Sequence, residues 1–195
     1  MSVVINIMSK NPDFCECKTR LKNLLPREER IYITKHMLDI TCSVVTKFNT
    51  ASILHLFPNK DGLFIKNLSE KYNIPPQVQR TGMLSDKIYS ILNQDSLSFE
   101  KKIVMGADIP SISINEISEC IDLLNEYDCV FGPSNDGGFY LVGTKANAHS
   151  IFENLNMNTI LLEDLIDICK TNKISYELIR ELKDIDCEKD LLFIL

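Results

Sequence analysis

The chain has 195 residues, of which 45% are hydrophobic and 25% charged. That is enough for one ordinary core, and the balance excludes a disordered or fibrous protein. The net charge of −6 argues against general affinity for nucleic acid or an anionic membrane, so a polyanionic ligand would need a local cluster of cations. No apolar run reaches the roughly 20 residues that span a bilayer, and residues 1–8 lack the layout of a signal peptide. A cytoplasmic protein with no membrane insertion is expected, its seven cysteines reduced.

The apolar run 3–8 predicts a first strand, followed by a polar loop over 9–17. Residues 27–47 predict a helix: Pro26 stands where one can begin, and Ile31, Met37, Leu38, Thr41 and Val45 supply a buried side. A second strand is expected over 51–57, closed by the turn 58–62, with a short helix over 63–72. Pro75-Pro76 reads as a break and 84–92 as a helix. A strand over 102–105 runs into Gly106-Ala107-Asp108-Ile109-Pro110, and Ser113 with Glu116 predicts a capped helix over 113–126. Short strands follow at 129–131 and 139–142 around a polar turn. A helix over 158–170, a strand over 174–177 and a last helix over 187–194 complete the pattern. Strands separated by helices imply an α/β fold with a mainly parallel central sheet and flanking helices. No linker divides the chain, so residues 1–195 are expected to form a single domain.

In open α/β sheets, ligands sit beyond the carboxyl ends of the strands, which singles out three loops. The first carries Lys10, Lys18 and Arg20 within eleven residues of an acidic protein. Arginine offers a planar fork to phosphate oxygens and lysine a compact charge. Lys18 and Arg20 also fall at the start of a helical turn, where unpaired N–H groups favour an anion. The plainer reading is a solvated basic loop. The second loop holds Asp108 between Gly106 and Pro110. Mg²⁺ usually takes one or two protein carboxylates together with phosphate oxygens and water, so Asp108 is the metal-ligand candidate, with helix capping as its alternative. In the third loop, Asp136-Gly137-Gly138 reads by itself as a hairpin turn. Cys15-x-Cys17 has no second pair at a zinc-binding spacing, and His36, His55 and His149 stand alone; none is assigned a role.

The order Lys-x-Pro, Lys-Thr-Arg-Leu, Gln-x-x-Gly-x-Leu, Gly-x-Asp-x-Pro, Gly-Pro-x-x-Asp-Gly-Gly-Phe-Tyr-Leu-Val-Gly and Asp-Ile-Asp-x-x-x-Asp-Leu resembles a microbial family of GT-A-like transferases. Its members are usually labelled glycosyltransferases or selenodomain-associated transferases. It is similar to the nucleotidyltransferases that make guanylylated phospholactate and the molybdenum-cofactor dinucleotide. The resemblance implies a Rossmann-like GT-A fold and a divalent metal, Mg²⁺ or Mn²⁺, at Asp108. It implies nucleotide phosphates on Lys10, Lys18 and Arg20, with Lys18 and Arg20 also serving catalysis. Asp136 would act as base or orient the acceptor, with Gly137 and Gly138 beside the nucleotide. Lys87 stands where the family has arginine, in a segment 82–87 that departs from its pattern. Asp184 and Asp186 match a late acidic motif, one of which could complete the metal site. The expected substrates are a nucleotide or nucleotide sugar and an unknown small-molecule acceptor, with no nucleic-acid partner. Sugar transfer is the leading expectation. The alternatives are nucleotidyl transfer to a small phosphorylated acceptor and a degenerate, non-catalytic member that binds nucleotide or a partner.

Overall fold

A computed structural model describes residues 2–94, 99–146, 148–155, 157–186 and 190. Among these residues seven strands lie in one sheet: β1 (Val3–Lys10), β2 (Ala51–Phe57), β3 (Pro76–Val78), β4 (Lys101–Gly106), β5 (Cys129–Pro133), β6 (Phe139–Lys145) and β7 (Tyr176–Leu178). Their order is β3-β2-β1-β4-β6-β5-β7. All neighbours are parallel except the two pairs made by β6. β6 is reversed because a tight turn, closed by Ser134 N donating to Gly138 O at 3.1 Å, returns the chain alongside β5.

Among the described residues five α-helices cover the two faces: α1 (Arg27–Val45), α2 (Leu63–Tyr72), α3 (Leu84–Gln94), α4 (Ile114–Leu123) and α5 (Leu162–Asn172). Successive strand residues point to opposite faces, and the cores follow that alternation. Ile103 and Met105 of β4 pack with Leu38 of α1, Ile65 of α2 and Ile117 of α4. Val104 packs on the other side with Ile88 and Leu92 of α3 and Leu165 of α5. The strands are apolar on both faces because both are covered. Each fully buried Leu or Ile contributes about 1.5–3 kcal/mol.

One polar chain runs through this interior. Asn6 of β1 donates Nδ2–H to Ile103 O at 3.2 Å, so its Oδ1 faces His55 Nε2 of β2 at 2.9 Å. Asn6 Oδ1 can only accept, so His55 carries its proton on Nε2. Burial depresses the His55 pKa to about 4, which keeps the ring neutral.

The predicted β2 and α2 match the structure, and α4 begins with the predicted capping box. Ser113 Oγ accepts from Asn115 N, and the Glu116 carboxylate accepts from Ser113 N at 2.9 Å. Other boundaries change. β1 continues to Lys10 because it pairs with β2 as far as Phe57. Pro76 opens β3 instead of breaking structure; β3 is an edge strand, where a missing N–H costs no ladder bond. Residues 158–161 are not helical: α5 starts at Leu162, whose N–H donates to Gly137 O at 2.9 Å. The strand expected from 174 begins at Tyr176. The helix expected over 187–194 lies outside the described residues. No described helix is long and apolar enough to cross a membrane.

Candidate active site

β1 and β4 are neighbours, so the loops after their carboxyl ends meet. This brings Lys18 to Asp108, ninety positions later. Lys18 Nζ lies 3.1 Å from Asp108 Oδ1 and 3.3 Å from Asp186 Oδ1, and its side chain is only 4% exposed. Arg20 Nη1 lies 2.8 Å from Asp186 Oδ2. Asp186 itself is fixed by its backbone N–H, which donates to Asp190 Oδ2 at 3.0 Å. Two carboxylates thus clasp a buried ammonium, and one of them also holds an exposed guanidinium.

The loop that aims Lys18 is strained. Lys18 has φ 46° and ψ 49°, left-handed values that cost a non-glycine residue on the order of 1 kcal/mol or more. Arg30 of α1 holds this shape, donating from Nη1 to Cys17 O at 2.6 Å and from Nη2 to Glu16 Oε2 at 3.1 Å. The helical turn expected here is a single 3₁₀ turn, Thr19–Leu21. Its attraction for an anion rests on the side-chain charges, because so short a turn has little dipole.

Ser9, Lys10, Lys18, Arg20, Thr34, Asp108 and Asp186 are among the residues lining a cleft of about 310 Å³. A wider cleft of about 510 Å³ shares Ser9, Lys10 and Asp108 with it. One end of the wider cleft reaches Phe57, Gln79 and Lys87; the other reaches Ser134, Asp136, Gly138 and Asp184. The cations lie at the first end and in the middle, and the carboxylates in the middle and at the second end.

Asp136 is pinned. Burial raises its pKa, but hydrogen bonds from Ser134 Oγ at 2.6 Å and Gly138 N at 3.0 Å, with the Arg20 charge, outweigh that and leave it lowered. The carboxylate therefore stays ionised near neutral pH. Gly138 makes room for it, since a Cβ there would lie 3.1 Å from Asp136 Oδ1. Gly137 has φ 86°, which the turn requires. Its N–H is spent on Ser134 O, and it lines neither cleft. Asp184 is raised to about 6 by burial and by the charges of Asp136 and Asp186, which Lys18 only partly offsets.

The predicted residues Lys10, Lys18, Arg20, Asp108, Asp136, Gly138 and Lys87 all line one of the two adjoining clefts. Among the described residues Asp108 caps no helix; Ser113 does that work for α4. Sequence reasoning missed Arg30 and Gln79. Arg30 looked like part of an ordinary charged helix start, and Gln79 appeared only as one letter of a weak motif. Among the described residues, no three His, Cys, Asp or Glu side chains are gathered to hold a metal ion.

The fold is that of the nucleotide-diphospho-sugar transferases and nucleotidyltransferases. It superposes on a protein named as a nucleotide-diphospho-sugar transferase from Desulfovibrio desulfuricans G20 with a TM-score of 0.88 and 17% identity, covering 100% of this chain and 87% of that one. A 4-diphosphocytidyl-2C-methyl-D-erythritol synthase from Anaerococcus prevotii gives a TM-score of 0.68 and 14% identity, with 98% and 93% covered. The chain belongs to the family described as an uncharacterized protein conserved in bacteria (DUF2064), which it matches over residues 41–159. That segment contains Gln79, Lys87, Asp108 and Asp136; folding adds Lys18, Arg20 and Asp186 from outside it. The chain is also 28% identical over 129 residues to the 2-phospho-L-lactate guanylyltransferase of Methanocaldococcus vulcanius, covering 66% of this chain and 56% of that protein. It spans about half the length of the curated relatives it matches.

Proposed function

We propose that this protein is a metal-dependent nucleotidyltransferase that moves a nucleoside monophosphate from a nucleoside triphosphate to a small phosphorylated acceptor. The observation that carries the reading is Lys18 buried between Asp108 and Asp186, with Arg20 alongside, in a cleft beyond β1 and β4. Sugar transfer, the leading expectation from sequence, becomes the second reading. The guanylyltransferase similarity supports nucleotidyl transfer, and the same cations serve it.

The donor set suits a divalent cation. The Lys18 ammonium already sits between Asp108 and Asp186, which supports the reading that this space takes positive charge. Asp108 and Asp186 are the residues that would hold it, with phosphate and water completing the shell. When bound, Mg²⁺ or Mn²⁺ supplies charge that stabilises phosphoryl oxygens.

The chain's own groups do the rest. The triphosphate competes with Asp186 for Lys18 and Arg20. An acceptor phosphate oxygen forms a bond to the α-phosphorus, the bond from that phosphorus to the β-bridging oxygen breaks, and pyrophosphate leaves with the electron pair. Lys18 and Arg20 neutralise the charge that accumulates as it departs. Lys10 adds a third cation at the rim. Asp136, ionised and locked by Ser134 and Gly138, accepts a hydrogen bond from the acceptor and orients it.

The test is the leaving group. Release of pyrophosphate from a nucleoside triphosphate, dependent on Mg²⁺ or Mn²⁺ and on an acceptor, supports the proposal. Release of a nucleoside diphosphate from a nucleotide sugar would instead establish the glycosyl reading. Nucleotide binding with no turnover of either donor, across a broad acceptor panel, would point to the non-catalytic alternative.

A further inference from the structure

Arg30 lines neither cleft, yet its side chain is only 8% exposed and both of its terminal nitrogens are committed to the loop that carries Lys18. Nη1 donates to Cys17 O at 2.6 Å and Nη2 to Glu16 Oε2 at 3.1 Å. The other Glu16 oxygen accepts from Arg27 Nε at 2.8 Å. The Cys17 carbonyl and the Lys18 N–H belong to one planar peptide. Holding that carbonyl therefore fixes the amino side of Lys18. Its carboxyl side is fixed by Leu21 N, which donates to Lys18 O at 2.9 Å. With both flanking peptides pinned, Lys18 is left in the left-handed conformation, φ 46° and ψ 49°.

Arg30 is poorly placed by two local rules. Among the described residues its buried Nε has no hydrogen-bond partner, and a buried donor left unpaired is unfavourable. A cation close to the N-terminus of a helix, here α1, also opposes the helix dipole. What the residue supplies in return is the planar fork: two donors at a fixed spacing, which bind the backbone at Cys17 and the carboxylate at Glu16 together. A lysine in its place has one nitrogen and no fork.

We propose that Arg30 is a positioning residue that acts through Lys18: it sets the Cys17–Lys18 peptide so that the ammonium stands between Asp108 and Asp186, facing the leaving group. The inference rests on the nucleotidyltransferase reading for its catalytic consequence only; the backbone it sets is independent of that reading.

The experiment has two arms. In the first, thermal unfolding compares Lys18→Gly with Lys18→Ala, once with Arg30 in place and once in Arg30→Met. With Arg30 in place glycine should lead by roughly 2–4 °C, because it relieves the positive φ. In Arg30→Met the loop is free to relax, and the lead should fall below about 1 °C. In the second arm, Arg30→Met should lower kcat for pyrophosphate release at least about tenfold, with KM for the triphosphate changed less than about threefold. The same substitution should cost less than about twofold in kcat once Lys18 is alanine, since residues that act as a unit are not additive. Arg30→Lys should recover part of both effects, and it carries the comparisons if Arg30→Met does not fold. An undiminished glycine lead without Arg30 would overturn the inference. So would an equal loss of kcat with and without Lys18, which would make Arg30 merely structural. Absence of pyrophosphate release from every protein would remove the transfer reading, and the unfolding arm would still decide whether Arg30 sets the Lys18 backbone.

Discussion

Lys18 combines two opposed effects that substitution can separate: a favourable charge and an unfavourable backbone. Replacing it by alanine removes the ammonium but keeps the left-handed conformation. Asp108 and Asp186 are 55% and 35% exposed, so once released they are largely solvated. The stability loss should then be on the order of 1 kcal/mol, well below the roughly 3–5 kcal/mol of breaking a fully buried pair. Replacing Lys18 by glycine removes the same charge and also the Cβ that penalises φ 46°. Lys18→Gly should therefore be more stable than Lys18→Ala by about 1 kcal/mol, or roughly 2–4 °C in Tm for a chain of this size. Activity should not follow stability. Both variants lose one preorganised charge facing the leaving group, and both should fall by about 10²–10³ in kcat for pyrophosphate release. Thermal unfolding and steady-state kinetics on the three proteins make the test. Lys18→Gly less stable than Lys18→Ala would refute the backbone argument. Activity within about threefold of wild type in either variant would refute the catalytic one.

The other predictions concern the metal, the turn and the interior. Asp108→Ala should abolish any Mg²⁺- or Mn²⁺-dependent rise in Tm with nucleotide, while EDTA should remove the same rise from the wild type; a rise of unchanged size in the variant would exclude Asp108 as a ligand. Gly138→Ala places a methyl group 3.1 Å from Asp136 Oδ1 and 3.2 Å from Ser134 Oγ. It should lower kcat more than it lowers stability, and equal kcat would show that the fixed position of Asp136 is immaterial. His55 titrates near 4 when folded and near 6.5 when unfolded. The unfolded state therefore takes up the proton first. The stability that His55 contributes is complete above pH 6.5 and is lost as pH falls toward 4, by about 3 kcal/mol. His55→Gln should flatten urea-unfolding stability over that range relative to the wild type; parallel curves for the two proteins would contradict the assignment.

Local chemistry made much of the architecture legible. The apolar alternation with helices announced a parallel sheet, and Ser113 with Glu116 announced the start of α4, because both signals are carried by neighbouring residues. The β5–β6 reversal followed from Gly137, whose φ 86° few other residues tolerate. The loop cations and Asp108 stood out for a similar reason: charge at a strand end is visible in one dimension.

What the sequence could not supply was distance across the chain. Lys18 and Asp186 are 168 positions apart, and only the adjacency of strands brings their side chains to 3.3 Å. Pro76 looked like a break because nothing nearby says that β3 is an edge strand. Residues 158–161 looked helical by composition, yet they line the cleft because Leu162 is tied to Gly137 across the fold. Gln79 is the clearest case. Its sequence context specifies an amide, but which end of that amide is already satisfied was decided by two carbonyls from other strands, Ser9 and His55. Residue type fixed the chemistry available at each position. Tertiary packing decided which of those groups were already satisfied and which were left to act on something else.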